Sequence, residues 1–188
     1  MKTFLKRNPD DNLTDSIADG LTENMGYSDT SYLYPETDKI KPNQGVLPEW
    51  FYPIINSPEN FSEMSAVFQY TTQSAMFGEI STILMAIAFV EMRHLDKIRD
   101  VITHLGGTIN DSNWNPTLIK YGNDPIEALK EAIIGEQATI NFYKKLKTDI
   151  LMLPQQNETT ETCIQLLSKL IADELLHYKL LNEKLKEL

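Results

Sequence analysis

The sequence predicts an all-α fold: a four-helix bundle built as two antiparallel helical hairpins, joined by a long crossover and preceded by an irregular arm. Three observations predict it. Mostly apolar residues recur at steps of three and four, as in Leu84, Ile87, Glu91, Leu95, Ile98, Ile102 and Leu105, and again in Leu129, Ile133, Glu136, Ile140, Tyr143 and Leu146, which is the spacing of one helical face. A spacing motif, E-x6-Y followed by E-x-x-H, occurs twice: Glu63 and Tyr70 with Glu91 and His94, then Glu136 and Tyr143 with Glu174 and His177. The midpoint of Glu63 and Glu91 is Phe77, beside Gly78, and that of Glu136 and Glu174 is Gln155, inside Pro154-Gln155-Gln156-Asn157. Residues equidistant from a hairpin turn lie across from one another, so each pair bisects at its own turn and both hairpins deliver their acidic residues to one level.

The elements follow in order. Residues 1–56 show no sustained period and many Asp, Thr, Ser, Tyr and Pro residues, and form the arm; residues 57–188 form the bundle. The first helix is expected after Ser57, with Pro58 in its first turn, and runs to Phe77. The second follows Gly78 and ends at Gly106-Gly107. Gly107 to Asn123 has little pattern. At about 1.5 Å per residue the second helix is roughly 40 Å long, and an extended link of this size reaches roughly 56 to 61 Å, enough to traverse the bundle. The third helix opens at Asp124, ahead of Pro125 and with Glu127 three residues on, and stops before Pro154. The fourth fills most of Glu158 to Leu188. Trp50 and Trp114 are expected to pack the arm and the crossover, and Arg93 to be a solvated or ion-paired surface residue.

Composition narrows the function. The chain has 188 residues, 41% hydrophobic and 23% charged, which suits one domain with a sizeable core. A net charge of −10 without a basic cluster speaks against nucleic acid as a partner. The single cysteine, Cys163, excludes an internal disulfide framework and any Cys-x-x-Cys knuckle. The opening MKTFLKRNPDDN has no apolar h-region, and no stretch reaches transmembrane length without charge, so no membrane association is expected and the chain reads as cytoplasmic.

The chemistry lies in the polar residues that interrupt the apolar stripes. Glu91 and His94 do so in the second helix, Glu136 in the third, Glu174 and His177 in the fourth. Buried carboxylates are normally neutralised, paired or bound to a metal, and six such groups at one level ask for a cation. Four carboxylates and two imidazoles make a hard donor set suited to iron or manganese. The plainer alternative is a metal-free bundle using the same groups as buried salt bridges. Tyr70 and Tyr143 read either as core tyrosines with satisfied hydroxyls or, through their matched placement, as supports for the carboxylates. His104 has no Glu partner and lies near a helix C-terminus, where a solvated histidine is expected.

The doubled E plus E-x-x-H pattern over about Pro58 to Leu188 resembles the ferritin-like di-metal carboxylate superfamily, most closely rubrerythrin and bacterioferritin domains. The resemblance implies two iron ions, with manganese possible. It implies that Glu63 and His94 cap opposite ends of the ligand set, that Glu91 and Glu174 bridge the metals, and that Glu136 and His177 complete the second metal's shell. Asp173 matches an aspartate that supports a ligand histidine; its counterpart before Glu91 is Val90, so one half is expected to lack that support. Tyr70 and Tyr143 resemble tyrosines that hydrogen-bond ligand carboxylates. The sequence departs from rubrerythrins at Thr139, where a second glutamate is usual, and it lacks a rubredoxin-like cysteine domain, so an external electron donor is implied. It departs from ferritin cages in ending with the fourth helix, and from manganese catalases in having Glu174.

From the resemblance follows the expected function: redox work on hydrogen peroxide or dioxygen, with rubrerythrin-like peroxide reduction favoured. The alternatives are iron oxidation and sequestration, a manganese catalase-like enzyme, or a structural bundle. A homodimer or larger homo-oligomer is expected.

Overall fold

The computed structural model describes residues 25–57, 62–109 and 114–188, and every regular element among them is helical. The arm carries isolated 3-10 turns and one short helix, α1 (Tyr52–Asn56). The bundle consists of α2 (Glu63–Met76), α3 (Ser81–His104), α4 (Pro125–Leu151) and α5 (Glu158–Glu187). Helices α2 and α3 pack as one hairpin and α4 and α5 as the other, with α2 against α4 and α3 against α5 across the join. Both expected turns are present, at Phe77–Ile80 and between Met152 and Asn157.

Local chemistry explains most boundaries. The Asp124 side chain accepts the Glu127 amide at 2.8 Å and Pro125 occupies the first turn, an arrangement in which the missing N–H of proline costs nothing. Glu127 reaches back to the Asn123 amide at 3.0 Å. Helix α5 opens with a reciprocal cap between Asn157 and Thr160. Helix α3 stops at Gly106, whose φ of 86° is a conformation that glycine adopts at little cost.

One boundary differs from expectation. Helix α2 opens at Glu63, with the Ser62 hydroxyl accepting the Ser65 amide at 3.2 Å, whereas Ser57 is the C-cap of α1. A residue before proline is biased away from the helical region, so Ser57-Pro58 stops one helix rather than starting the next; Pro58 itself lies outside the described residues.

The crossover runs along α2. Trp114 stacks edge-on with Phe68 at 5.5 Å and donates to Ser65 Oγ at 3.2 Å. Further along, the buried amides of Gln69 and Gln73 donate to the carbonyls of Lys120 and Tyr121, each at 3.0 Å. Gly122 then turns the chain into α4 with φ 74°, and a Cβ there would lie 2.4 Å from the Ala128 amide nitrogen.

Two apolar layers bracket the middle of the bundle. One contains Ile80, Leu84 and Ile87 of α3 with Leu129 and Ala132 of α4 and Leu181 of α5. The other contains Leu95, Ile98 and Ile102 with Leu146 and Ile150, and Leu166 and Leu170, closed by Ile40, Phe51 and Ile54 from the arm and α1. Along each long helix the acidic and histidine positions fall between the layers.

Candidate metal centre

Between these layers the six residues of the repeated motif meet. Glu63, Glu91, His94 and Glu174 form one group and Glu91, Glu136, Glu174 and His177 another, with the ligand atoms of each group within 4.8 Å of one another. All six are buried. The groups share Glu91 and Glu174. Glu91 turns Oε2 to His94 Nδ1 at 3.1 Å and Oε1 to His177 Nδ1 at 2.9 Å. Glu174 turns Oε1 to His94 Nδ1 at 3.1 Å and Oε2 to His177 Nδ1 at 3.8 Å. Each shared carboxylate therefore presents one oxygen to each imidazole. Glu63 lies 3.7 Å from His94 Nδ1 and Glu136 3.8 Å from His177 Nδ1, so Glu63 and His94 share one end of the set rather than capping opposite ends. The repeat explains this: each hairpin supplies a Glu and an E-x-x-H to the same level.

The outer nitrogen of each ring has its own acceptor. His94 Nε2 lies 3.1 Å from Asp173 Oδ2, and His177 Nε2 lies 3.0 Å from the Tyr27 carbonyl oxygen. A carbonyl only accepts, so His177 carries its proton on Nε2, and Nδ1 faces the carboxylates with a lone pair or a second proton. Asp173 thus supports the histidine of the other hairpin, so the half containing Val90 does not lack a carboxylate behind its histidine, and the support of His177 comes from the arm's backbone, which has no side-chain signature in sequence.

These residues fit a metal pair. Glu63 Oε1, Glu91 Oε1, Glu136 Oε2, Glu174 Oε1 and His177 Nδ1 are buried and make no hydrogen bond, although the imidazole and carboxylate atoms approach closely. Lone-pair donors without hydrogen-bonding geometry, converging in a dry interior, are what a shared cation satisfies.

Without metal, protons must do this work. Burial, and then the Glu91 charge, push Glu63 well above its usual range; burial and Glu174 do the same to Glu136. Burial alone would raise Glu91 and Glu174, and Glu174 also feels the Glu91 charge, yet the two imidazoles outweigh this for Glu91, and Glu136 with the imidazoles does so for Glu174, so both fall below the ordinary value. Burial opposes charge on the imidazoles, but Tyr34 and then the surrounding carboxylates outweigh it at His94, and the carboxylates outweigh it at His177, so both are raised.

The Tyr70 hydroxyl donates to Glu136 Oε1, joining the first hairpin's tyrosine to the second hairpin's ligand. The Tyr143 hydroxyl is buried and makes no hydrogen bond. Thr139 Oγ1 donates to the Gly135 carbonyl of its own helix at 3.1 Å.

Asp173 is fully buried and receives more than the histidine. The Tyr34 hydroxyl donates to Oδ2 at 3.0 Å, and the Asp29 amide, the Ser28 hydroxyl and Lys169 Nζ donate to Oδ1 at 2.6, 3.2 and 2.9 Å. Burial alone would raise this carboxyl, but His94 and the Lys169 ammonium hold it below the usual carboxylate range. Arg93 is partly buried and lies 4.0 Å from the Tyr34 ring centroid, so it packs on the arm. Sequence reasoning missed Tyr27, Tyr34 and Lys169. Only Lys169 left a trace, one helical turn before Asp173 on the same face.

Comparison with known proteins gives the lineage. Over 130 residues the chain is 31% identical to the bacterioferritin of Mycobacterium bovis, a match covering 66% of this chain and 77% of the relative. The same figures hold for bacterioferritin BfrA of Mycobacterium tuberculosis. The chain belongs to the bacterioferritin family. With the all-helical bundle, this places it in the ferritin-like di-metal carboxylate superfamily. No family model and no solved structure matches the chain. Among the described residues, no helix is long and apolar enough to cross a membrane. The arm and α1, which close one apolar layer of this bacterioferritin relative, also carry the carbonyl that orients His177.

Proposed function

We propose that the chain oxidises and sequesters iron, taking up ferrous ions in pairs between Glu63, Glu91, His94, Glu136, Glu174 and His177. The observation that carries this reading is the sharing of Glu91 and Glu174 by two four-residue groups, each with one imidazole. Likeness to proteins named bacterioferritin supports iron over manganese, since the donor set alone suits both. A bound ferrous pair supplies two electrons, which reduce dioxygen to hydrogen peroxide or hydrogen peroxide to two waters, with two protons consumed in either case.

In this reading Glu63 and Glu136 each serve one ion, and Glu91 and Glu174 serve both. Tyr70 holds Glu136 in place. The apolar layers above and below exclude water, which strengthens every charge interaction at this level. Sequestration of many ions needs an assembly, so a homo-oligomer belongs to the proposal.

Iron oxidation ranks ahead of rubrerythrin-like peroxide reduction for two reasons. The relatives carry bacterioferritin names, and Thr139, where the peroxidases have a glutamate, is tied to its own helix. Ferrous iron as substrate also removes the need for an external electron donor.

Stopped-flow mixing of metal-free protein with ferrous iron in air tests the proposal. A fast ferric phase of about two ions per chain is expected, followed by retention of many more ions after desalting; a Glu91→Ala, Glu174→Ala double variant should lose the fast phase. An equal rate in that variant rejects the proposal. Faster reaction with peroxide and no iron retained beyond the pair returns the peroxidase reading to first place.

A further inference from the structure

The repeat makes the two halves of the centre alike, but the arm does not. His94 donates its outer N–H to a carboxylate, whereas His177 donates to a neutral carbonyl. A hydrogen bond to a charged acceptor is roughly twice as strong as a neutral one, and a carboxylate behind an imidazole raises the basicity of the nitrogen that faces the metal. The carboxylate is held in place by groups outside the repeated motif. Lys169, fully buried, spans Asp173 Oδ1 at 2.9 Å, Ser28 Oγ at 2.8 Å and the Asp29 carbonyl at 2.5 Å. Its ammonium also lies 4.9 Å from the Tyr34 ring centroid, and Tyr34 itself donates to Asp173 Oδ2. Among the described residues, nothing equivalent stands behind His177.

We propose that this network makes the two metal positions unequal: Tyr34 and Lys169 are positioning residues that act through Asp173 to make the His94 position the tighter site for a divalent ion, and the His177 position the weaker. The inference rests on the reading of the six residues as a two-ion centre. Changes to groups that orient a ligand histidine cost about 10- to 100-fold in metal affinity, so the two steps should differ by at least about 10-fold. The network of α5 and the arm thereby ranks the positions in order of filling.

Calorimetric titration of the metal-free full chain with cobalt(II) alone tests this. The native chain should bind in two steps. Glu63→Gln should weaken the tight step and Glu136→Gln the loose one, which assigns each step to its half. Lys169→Met should weaken the tight step by about 10-fold and leave the loose step in place. Tyr34→Phe, which removes one hydroxyl and keeps the ring, should weaken the tight step by several-fold; it serves as the test if Lys169→Met does not fold. Two equal steps, a tight step lost in Glu136→Gln instead, or folded positioning variants with both steps unchanged would each overturn the inference while leaving the two-ion centre standing. Failure of the native chain to bind cobalt(II) would remove the centre and the inference together.

Discussion

At the scale of single residues, the metal-free centre is a protonated one, and its pH dependence has a definite sign. His94, His177, Glu63 and Glu136 are all raised in the folded chain. Stability from such groups is present in full below their unfolded values, ordinarily 6.5 for His and 4.5 for Glu, and is lost as pH rises through the folded ones. Glu91, Glu174 and Asp173 are lowered, so their contribution is present above the unfolded values and lost as pH falls. The metal-free protein should therefore be most stable in mildly acidic buffer and lose thermal stability as pH climbs from 6 to 8, while saturating metal should flatten that slope. Thermal midpoints at several pH values, with and without cobalt(II), check it; a metal-free midpoint that is flat or rising over this range contradicts it. The same ionisations predict that filling the centre near neutral pH releases up to four protons, one from each raised group. Calorimetry in buffers of different ionisation enthalpy counts them.

Among helices and turns, the sequence was most legible where a residue's role is local. The cap at Asp124 and the turns at Gly78 and Pro154 are written in neighbouring residues. The six motif residues could be read because helical periodicity and two bisected turns place them without any long-range information. Tyr27 and Tyr34 could not be read, because the arm has no period and its contacts to α5 join residues more than a hundred positions apart. A backbone carbonyl leaves no residue type to recognise. Helix-level predictions follow from the same local chemistry. Asn157→Ala should cost about 1 kcal/mol in urea unfolding by removing the cap of α5. Gly122→Ala should cost more, because its Cβ would meet backbone in a left-handed conformation. Equal stability of Gly122→Ala and the native chain would contradict the account of how the crossover enters α4.

For the whole molecule, a buried polar layer lies between two apolar ones, and the arm seals one face of it. A layer of charged groups in a bundle core is costly unless it holds something, and the repeated motif gives it two equivalent sets of donors. The arm then supplies what the repeat lacks, a carbonyl behind one histidine and the Ser28, Asp29 and Tyr34 donors that fix the α5 carboxylate Asp173 behind the other. Direct location of the ions tests this arrangement most plainly. Crystals soaked anaerobically in ferrous iron and measured by anomalous diffraction at the iron edge should show two peaks per chain, one bounded by Glu63, Glu91, His94 and Glu174 and the other by Glu91, Glu136, Glu174 and His177. No peak between the two apolar layers, with iron only at surface carboxylates, would contradict the account.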